Sequence, residues 1–598
     1  MNRFHAAFLT CLALGAVASS VSAEDRSGSG NATTAAAESA DLIVQGGKIV
    51  TVDPEFQIAE AMAVHNGRIL AIGAAEEMRP LVGTNTRVVD LGGRMVLPGL
   101  IDSHTHPVGA SLYEADHEIP PMESIEDVLE YVRQRTSVVP KGEWIMLSQV
   151  FITRLKEQRY PTRAELDAAA PEHPVLFRTG PDASVNTLAL RINGIDKDFA
   201  AKHPEHILVE PQTGEPNGRV RQWASVLNER PSANGRTLSE AERDDRLVRL
   251  FHDYNRWGIT GVIDRNCDDA SRGQYERLLN SNRLSLRVRL SRSVDTAGEI
   301  TAIQKRIDSI AADPYFRSPQ PRLGVVGVKV FLDGGMLTGS AFFNRPWGVS
   351  SVYGIEDPEY CGMRYIEEDR LEELVRAAVT QGLAFTAHCQ GDGAVEALVR
   401  AYQRVNVDIP VAPTHSSICH SSFMSKAAIE GAAKLGIGID LQPAWLYLDA
   451  RTLVGHFGEE RLKHFIPLRS LFEAGVVAGG GSDHMQRVGS LRSVNPYNPF
   501  LGMWVAHTRQ ARWHTSPVRP EQALSRAQMI RFYTINNAWL MRAEDEIGSL
   551  EVGKRADFIV VDRDLLTCPA EEIRDTLVLS TWIDGAKLDL PPASDAVR

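Results

Sequence analysis

Two histidines stand two residues apart at the end of an apolar run, Leu97-Pro98-Gly99-Leu100-Ile101-Asp102-Ser103-His104-Thr105-His106. On a β-strand, side chains alternate faces, so His104 and His106 point one way and Thr105 the other. Two imidazoles on one face can hold one metal ion, but an isolated His-x-His is more often a pair of ordinary loop histidines. The pair gains meaning only if further ligands end later strands.

Such residues do recur. His388 ends the run 383–388 and shares its face with Thr386 and Ala384, which turns Cys389 away. The run 416–420 offers His420, with His415 just before it; Pro413 disfavours a strand leading into His415, whereas His420 is followed by a plausible N-cap, Ser425. His420 is therefore preferred and His415 held in reserve, and the same alternation turns Cys419 outward. Asp483 follows Gly479-Gly480-Gly481-Ser482, glycines that let the backbone approach whatever the aspartate holds; the bland alternative is a helix N-cap. Lys329, in the run 325–333, is the odd member, because an ammonium beside metal ions is repelled. Either it pairs with Asp333 on the same face, or its neutral amine has captured carbon dioxide to give a carbamate whose two oxygens bridge two metals.

The elements that must position these residues are eight short apolar runs, at 97–106, 260–264, 284–290, 325–333, 383–388, 416–420, 437–442 and 476–483, separated by loops and helical stretches. That is the pattern of a parallel α/β fold, and eight is the number that closes a (β/α)8 TIM barrel, whose function gathers at the carboxyl ends of its strands. Short β-rich segments flank it at both ends, so 41–96 and 546–590 are expected to form one small β-sandwich domain. The barrel then takes 97–108 and 244–545, and 109–243 is a large insert after the first strand, lying over the strand ends.

Residues 1–23 have the charged start (Arg3), apolar run (6–17) and Val21-Ser22-Ala23 end of a signal peptide, too short to span a membrane. Cleavage there leaves no integral membrane segment and implies a periplasmic or secreted protein. Residues 24–40, rich in Ser, Gly, Thr and Ala, read as a flexible leader. The remaining cysteines (Cys267, Cys361, Cys389, Cys419, Cys568) are odd in number and widely spaced, which excludes a disulfide framework. A net charge of -12 over 598 residues, with no basic cluster, argues against nucleic acid or an anionic membrane surface as partner.

Taken in order, these motifs resemble the amidohydrolase superfamily of metal-dependent hydrolases, in the branch with a long insert after the first barrel strand, that of the N-substituted formamide deformylase-like proteins. Gly99 to His106 is similar to its first-strand motif, and 548–562 to its C-terminal one. The Gln442-Pro443 pair, about twenty residues past the sixth-strand histidine, fits His420 better than His415. The resemblance implies one metal on His104, His106 and Asp483, a second on His388 and His420, and carbamylated Lys329 between them. The cofactors would be two divalent ions, zinc first, with iron, manganese or nickel also fitting. A metal-bound hydroxide would attack an amide-type carbonyl, and Asp483 would take the proton and pass it to the leaving nitrogen.

Deaminases of the superfamily usually carry a Glu where this chain has Gly391, which with Lys329 favours cleavage of a non-peptide carbon–nitrogen bond over mononuclear-metal deamination. A secreted binding or regulatory protein without turnover is the third reading; its mark would be lost ligands, and none is lost. Segments 185–190 and 213–218 resemble insert motifs of the branch, but Pro181 stands where a histidine is usual, a departure that weakens the carry-over of substrate identity. Asp333, Trp445, Tyr447 and His484 are the candidate substrate contacts, with 495–499 and Trp504 at the mouth. The expected partner is a small amide-type molecule, such as an N-acyl compound, a substituted formamide or a cyclic amide, with a homodimer as one option.

Overall fold

The apolar runs are the parallel strands of one barrel: Leu100–Thr105, Ile259–Cys267, Arg287–Ser293, Leu323–Phe331, Ala384–Cys389, Ser417–His420, Gly438–Leu441 and Ala478–Gly480. In this computed structural model, which describes residues 39–148, 150–179, 182–228 and 237–592, each strand hydrogen-bonds the next in sequence order. The (β/α)8 barrel implied by the eight runs is thus the observed fold. The signal-peptide segment, all but the last two residues of the leader, and Pro181 lie outside the described residues. Among those described, no helix is long and apolar enough to cross a membrane.

The eighth strand is only three residues long, and side chains and loops complete the closure onto the first strand. Asn537 Nδ2 donates to the carbonyls of Ile101 and Gly480 at once. Just above, Asp483 N donates to His104 O and His106 N to His484 O, both at 2.8 Å. The glycines before Asp483 serve this seam. A Cβ at Gly479 would lie 2.0 Å from Asn537 Oδ1, and one at Gly481 2.8 Å from His104 Cβ, so their close approach is to the protein itself. Beneath the strands, Ile101, Ile263 and Val326 pack on Leu540 and Met541 and fill the barrel floor.

Strands from both chain ends share one sheet. Met95–Pro98, just before the barrel, pairs antiparallel with Phe558–Val561, which pairs with Val578–Ile583. Packing there starts before the first strand, since Ala40, at the end of the expected leader, is buried and its N–H donates to Leu81 O. Buried Arg287 on the third barrel strand ties this sheet to the barrel through Asp557 (2.6 and 2.7 Å) and Asp584 (2.7 Å).

The insert builds its own mixed five-stranded sheet from Ile145–Ser148, Val175–Thr179, Asp182–Val185, Ile207–Val209 and Pro216–Val220, with a separate apolar core. It reaches the barrel through Arg154. That guanidinium grips Asp449 with Nε (3.1 Å) and Nη2 (2.9 Å), on the helix Pro443–Arg461 that follows the seventh strand.

Candidate metal centre

His104, His106 and Asp483 each bring one ligand atom to within 4.8 Å of the others. His106 Nε2 lies 3.1 Å and His104 Nε2 3.5 Å from the same Asp483 Oδ1. The first strand supplies the two imidazoles by alternation, and Asp483 arrives over the seam with φ at 56°, a left-handed backbone that non-glycine residues adopt at a cost. Asp102 Oδ1 holds the register by accepting the N–H groups of both His104 and Ser482 at 3.0 Å. Burial pushes the Asp102 carboxyl up to about 7.

His104 is oriented from behind. Its Nδ1 lies 2.8 Å from Asp440 Oδ1, whereas its buried Nε2 has no hydrogen-bond partner and faces Asp483. Asp440 Oδ1 also accepts from Gln442 Nε2 (3.1 Å), and Gln442 Oε1 in turn meets His420 Nδ1 at 2.9 Å. One carboxylate and one amide thus set the ring planes of two histidines and leave both Nε2 atoms to the site, the arrangement by which metal-holding imidazoles are fixed in one tautomer. Arg265, buried across the barrel, pairs with the other Asp440 oxygen at 3.1 Å.

His388 and His420 complete the ring cluster. The His420 ring centroid lies 4.6 Å from that of His104 and 4.5 Å from that of His388. His388 Nε2 lies 3.3 Å from Gly334 O, which leaves Nδ1 for the site. Burial, followed by the charge of Lys329, pushes the His388 imidazole down to about 3; burial also holds His104 and His420 well below the ordinary range. All three stay neutral near pH 7, the form that ligates metals.

Alternation fails at one place. Cys419, expected to face outward, has its thiol 3.1 Å from Asp440 Oδ2 inside the barrel. His420 nevertheless joins the site because its backbone turns left-handed (φ 71°), as does Ser421 (φ 43°), which cancels the side-chain alternation after Cys419. His415 lies elsewhere, stacked on Trp539 at 4.3 Å with Nδ1 on that residue's carbonyl.

Lys329 is 1 % exposed, opposite Thr386 on the fifth strand, and among the described residues it has no carboxylate ion pair. Asp333 does not pair with it. That carboxyl accepts from the backbone N–H groups of Phe342, Gln390 and Gly391, and burial raises it to about 8. Expected among the substrate contacts, it is 1 % exposed beneath the loop whose N–H groups it accepts. His484 is likewise committed, with Nδ1 2.6 Å from the Tyr254 hydroxyl and Nε2 on the carbonyls of Gln486 and Arg487. Trp445 stacks on His420 at 5.1 Å and donates to Asn495 Oδ1. Tyr447 is half-buried and lines a cavity beside the site. Phe331, which the sequence did not single out, is 45 % exposed on the Lys329 face, its ring 5.5 Å from that of His388. Asp102, Arg265 and Asp440 also went unmarked, since nothing in their local sequence separates them from ordinary strand-end polar residues.

The donor set fits a divalent ion: neutral imidazoles with oriented rings, a carboxylate between two of them, and an orphaned nitrogen aimed at that carboxylate.

The amidohydrolase family pattern matches residues 87–588. The N-substituted formamide deformylase of Arthrobacter pascens is 29% identical over 570 residues, 91% of this chain and 97% of that protein. Among solved structures, an uncharacterized metal-dependent hydrolase from Pyrococcus horikoshii OT3 superposes with a TM-score of 0.63 at 21% identity, covering 89% of this chain and 99% of the other. A second, from Pyrococcus furiosus, gives 0.61 at 21% identity, covering 88% and 100%. At that identity the two establish a shared fold.

Proposed function

The chain belongs to the amidohydrolase family, hydrolases of carbon–nitrogen bonds other than peptide bonds, and we propose that it is an exported, metal-dependent enzyme cleaving a small amide, with N-substituted formamides as the leading class. The observation that carries this reading is the unpartnered His104 Nε2, set by Asp440 to face Asp483. His104, His106 and Asp483 would hold one divalent ion, His388 and His420 a second, with Lys329 between them as a carbamate and zinc the first candidate. When bound, the ions supply a water acidified toward neutral pH and a Lewis acid for the carbonyl.

The chain's own residues do the rest. Burial raises the Asp483 carboxyl, which suits it to take the proton of the attacking water on Oδ1 and hand it to the leaving nitrogen. Asn495 Nδ2 donates to the Asp483 carbonyl (2.7 Å) and lies 3.3 Å from Oδ2, so the carboxylate swings little. Trp445 against His420 and Phe331 beside His388 offer apolar walls for a substituent on the amide nitrogen. Deamination lacks its acid: a Cβ at Gly391 would lie 2.0 Å from Phe342 O, so no glutamate can stand there in this backbone.

The test measures bound metal together with the products released from a panel of N-substituted formamides, other amides and aminoheterocycles, after reconstitution with and without bicarbonate. Metal-dependent release of amine is expected, with two ions per chain and recovery that needs bicarbonate. Release of ammonia from the aminoheterocycles with no cleavage of any amide overturns amide hydrolysis, and a single ion with no response to bicarbonate overturns the bridging role of Lys329. Export is supported by the signal-peptide pattern of 1–23; a mature protein beginning at Glu24 is expected, and an unprocessed chain overturns it.

A further inference from the structure

A cavity of about 460 Å³ lies one residue away from Asp483, between the insert and the loop after the eighth strand. Val494 and Pro496 line it, and the intervening Asn495 is the residue bonded to Asp483. Five arginines stand in its wall. Three are matched by acids: Arg154 by Asp449 at 2.9 Å, Arg492 by Glu114 and Glu118 at 2.7 and 3.0 Å, and Arg512 by Glu123. Arg574 is exposed to solvent at the rim, where it lies over the Trp504 ring at 4.7 Å.

Arg487 is different. It is 3 % exposed, has no ion pair among the described residues, leaves its buried Nε without a partner, and makes one long bond, Nη1 to Arg492 O at 3.4 Å. Its backbone is left-handed (φ 59°) and pinned from below by the His484 ring, which meets its carbonyl at 2.8 Å. The acid whose charge reaches it, Glu114, is already held by Arg492 at 2.7 Å, so this buried guanidinium has no ion pair of its own, and its planar fork matches a carboxylate. The rest of the wall suits the body of such a molecule, with Met122, Phe151, Leu491 and Leu501 facing the same space.

We propose that this cavity binds an organic carboxylate, its anionic head on Arg487 and its apolar body against Phe151, Leu491 and Leu501. The site is distinct from the metal centre and touches it through Asn495. Two sources supply such a group: the far end of the hydrolysed molecule, or a second small molecule that reports on the pathway's state.

Calorimetric titration of the metal-loaded full chain with phenylbutyrate and with its neutral analogue phenylbutanol tests this. The carboxylate is expected to bind about tenfold tighter or better, the worth of one charge-assisted contact. Arg487→Gln should abolish the preference while unfolding at the same temperature or higher, because a buried charge with no ion pair of its own is removed. Arg487→Lys should retain part of it. Equal binding of acid and alcohol overturns the proposal, and so does a preference that survives in Arg487→Gln, which would put the carboxylate on the metals instead. Phenylbutyrate that raises KM at constant kcat for a hydrolysed amide marks the substrate's own end; a change in kcat marks a separate ligand. The kinetic arm rests on the proposed hydrolysis and the binding arms do not, so the two can fail independently.

Discussion

His104 and Asp440 meet across the barrel, Nδ1 to Oδ1, at 2.8 Å, and that bond decides which nitrogen of His104 is free. Asp440→Ala should therefore weaken metal retention by about 10- to 100-fold, as removal of such a supporting carboxylate does elsewhere. Competition with a chelator, read as metal per chain, measures it. Unchanged retention in a folded variant would mean that Asp440 serves Arg265 alone.

Asp483 lies between two imidazoles and is the proposed carrier of the proton. Asp483→Asn keeps the size and removes the base, so turnover should fall by about 100- to 10,000-fold, the range for a positioned acid–base group. The circular dichroism spectrum should not change. Near-normal turnover in the folded variant assigns the proton to another group.

Asp333 gives a pH dependence. Burial raises its carboxyl to about 8, whereas in the unfolded chain it titrates near 4. Between those values the native state binds the extra proton, so this group's contribution is complete below about pH 4 and is lost as pH rises through about 8. The melting temperature of the wild type relative to Asp333→Asn should fall from pH 5 to pH 8 at fixed metal loading. A difference that is constant across that window contradicts the assignment.

The insert is held by Arg154 on Asp449, both buried. Removing one partner strands the other, so Arg154→Ala or Asp449→Ala should cost roughly 3–5 kcal/mol in denaturant unfolding. The double change Arg154→Met with Asp449→Leu should recover much of that. If it recovers nothing, the wider network through Asn495 and the Val494 carbonyl carries the energy.

The barrel was legible because eight apolar runs of strand length, five of them carrying a ligand-type residue near their ends, leave few other folds. The ligand-type residues were legible for the same reason. Their supports were not. Asp440 and Arg265 meet only after the barrel closes; Asp440 is one charge in an apolar strand, and Arg265 follows Asp264 at the end of another. Cys419 was turned the wrong way because the left-handed φ at His420 is invisible to an alternation argument. Asp333 and His484 sit in the sequence where substrate contacts would be, yet their polar atoms are taken by the loop backbone and by Tyr254. Arg487 carried no motif at all, since what distinguishes it is that the acid near it, Glu114, is taken by Arg492.

The sheet shared by both chain ends has a temporal consequence. Met95–Pro98 is made early in synthesis but finds its partner, Phe558–Val561, only after the whole barrel has emerged. Until then it is paired only on its other side, with Leu42–Val50, and presents an open edge to neighbouring chains. The strands Phe558–Val561 and Val578–Ile583 therefore act as a clasp on a fold that must be kept soluble while it waits, and slow, chaperone-assisted maturation is the natural counterpart of this architecture.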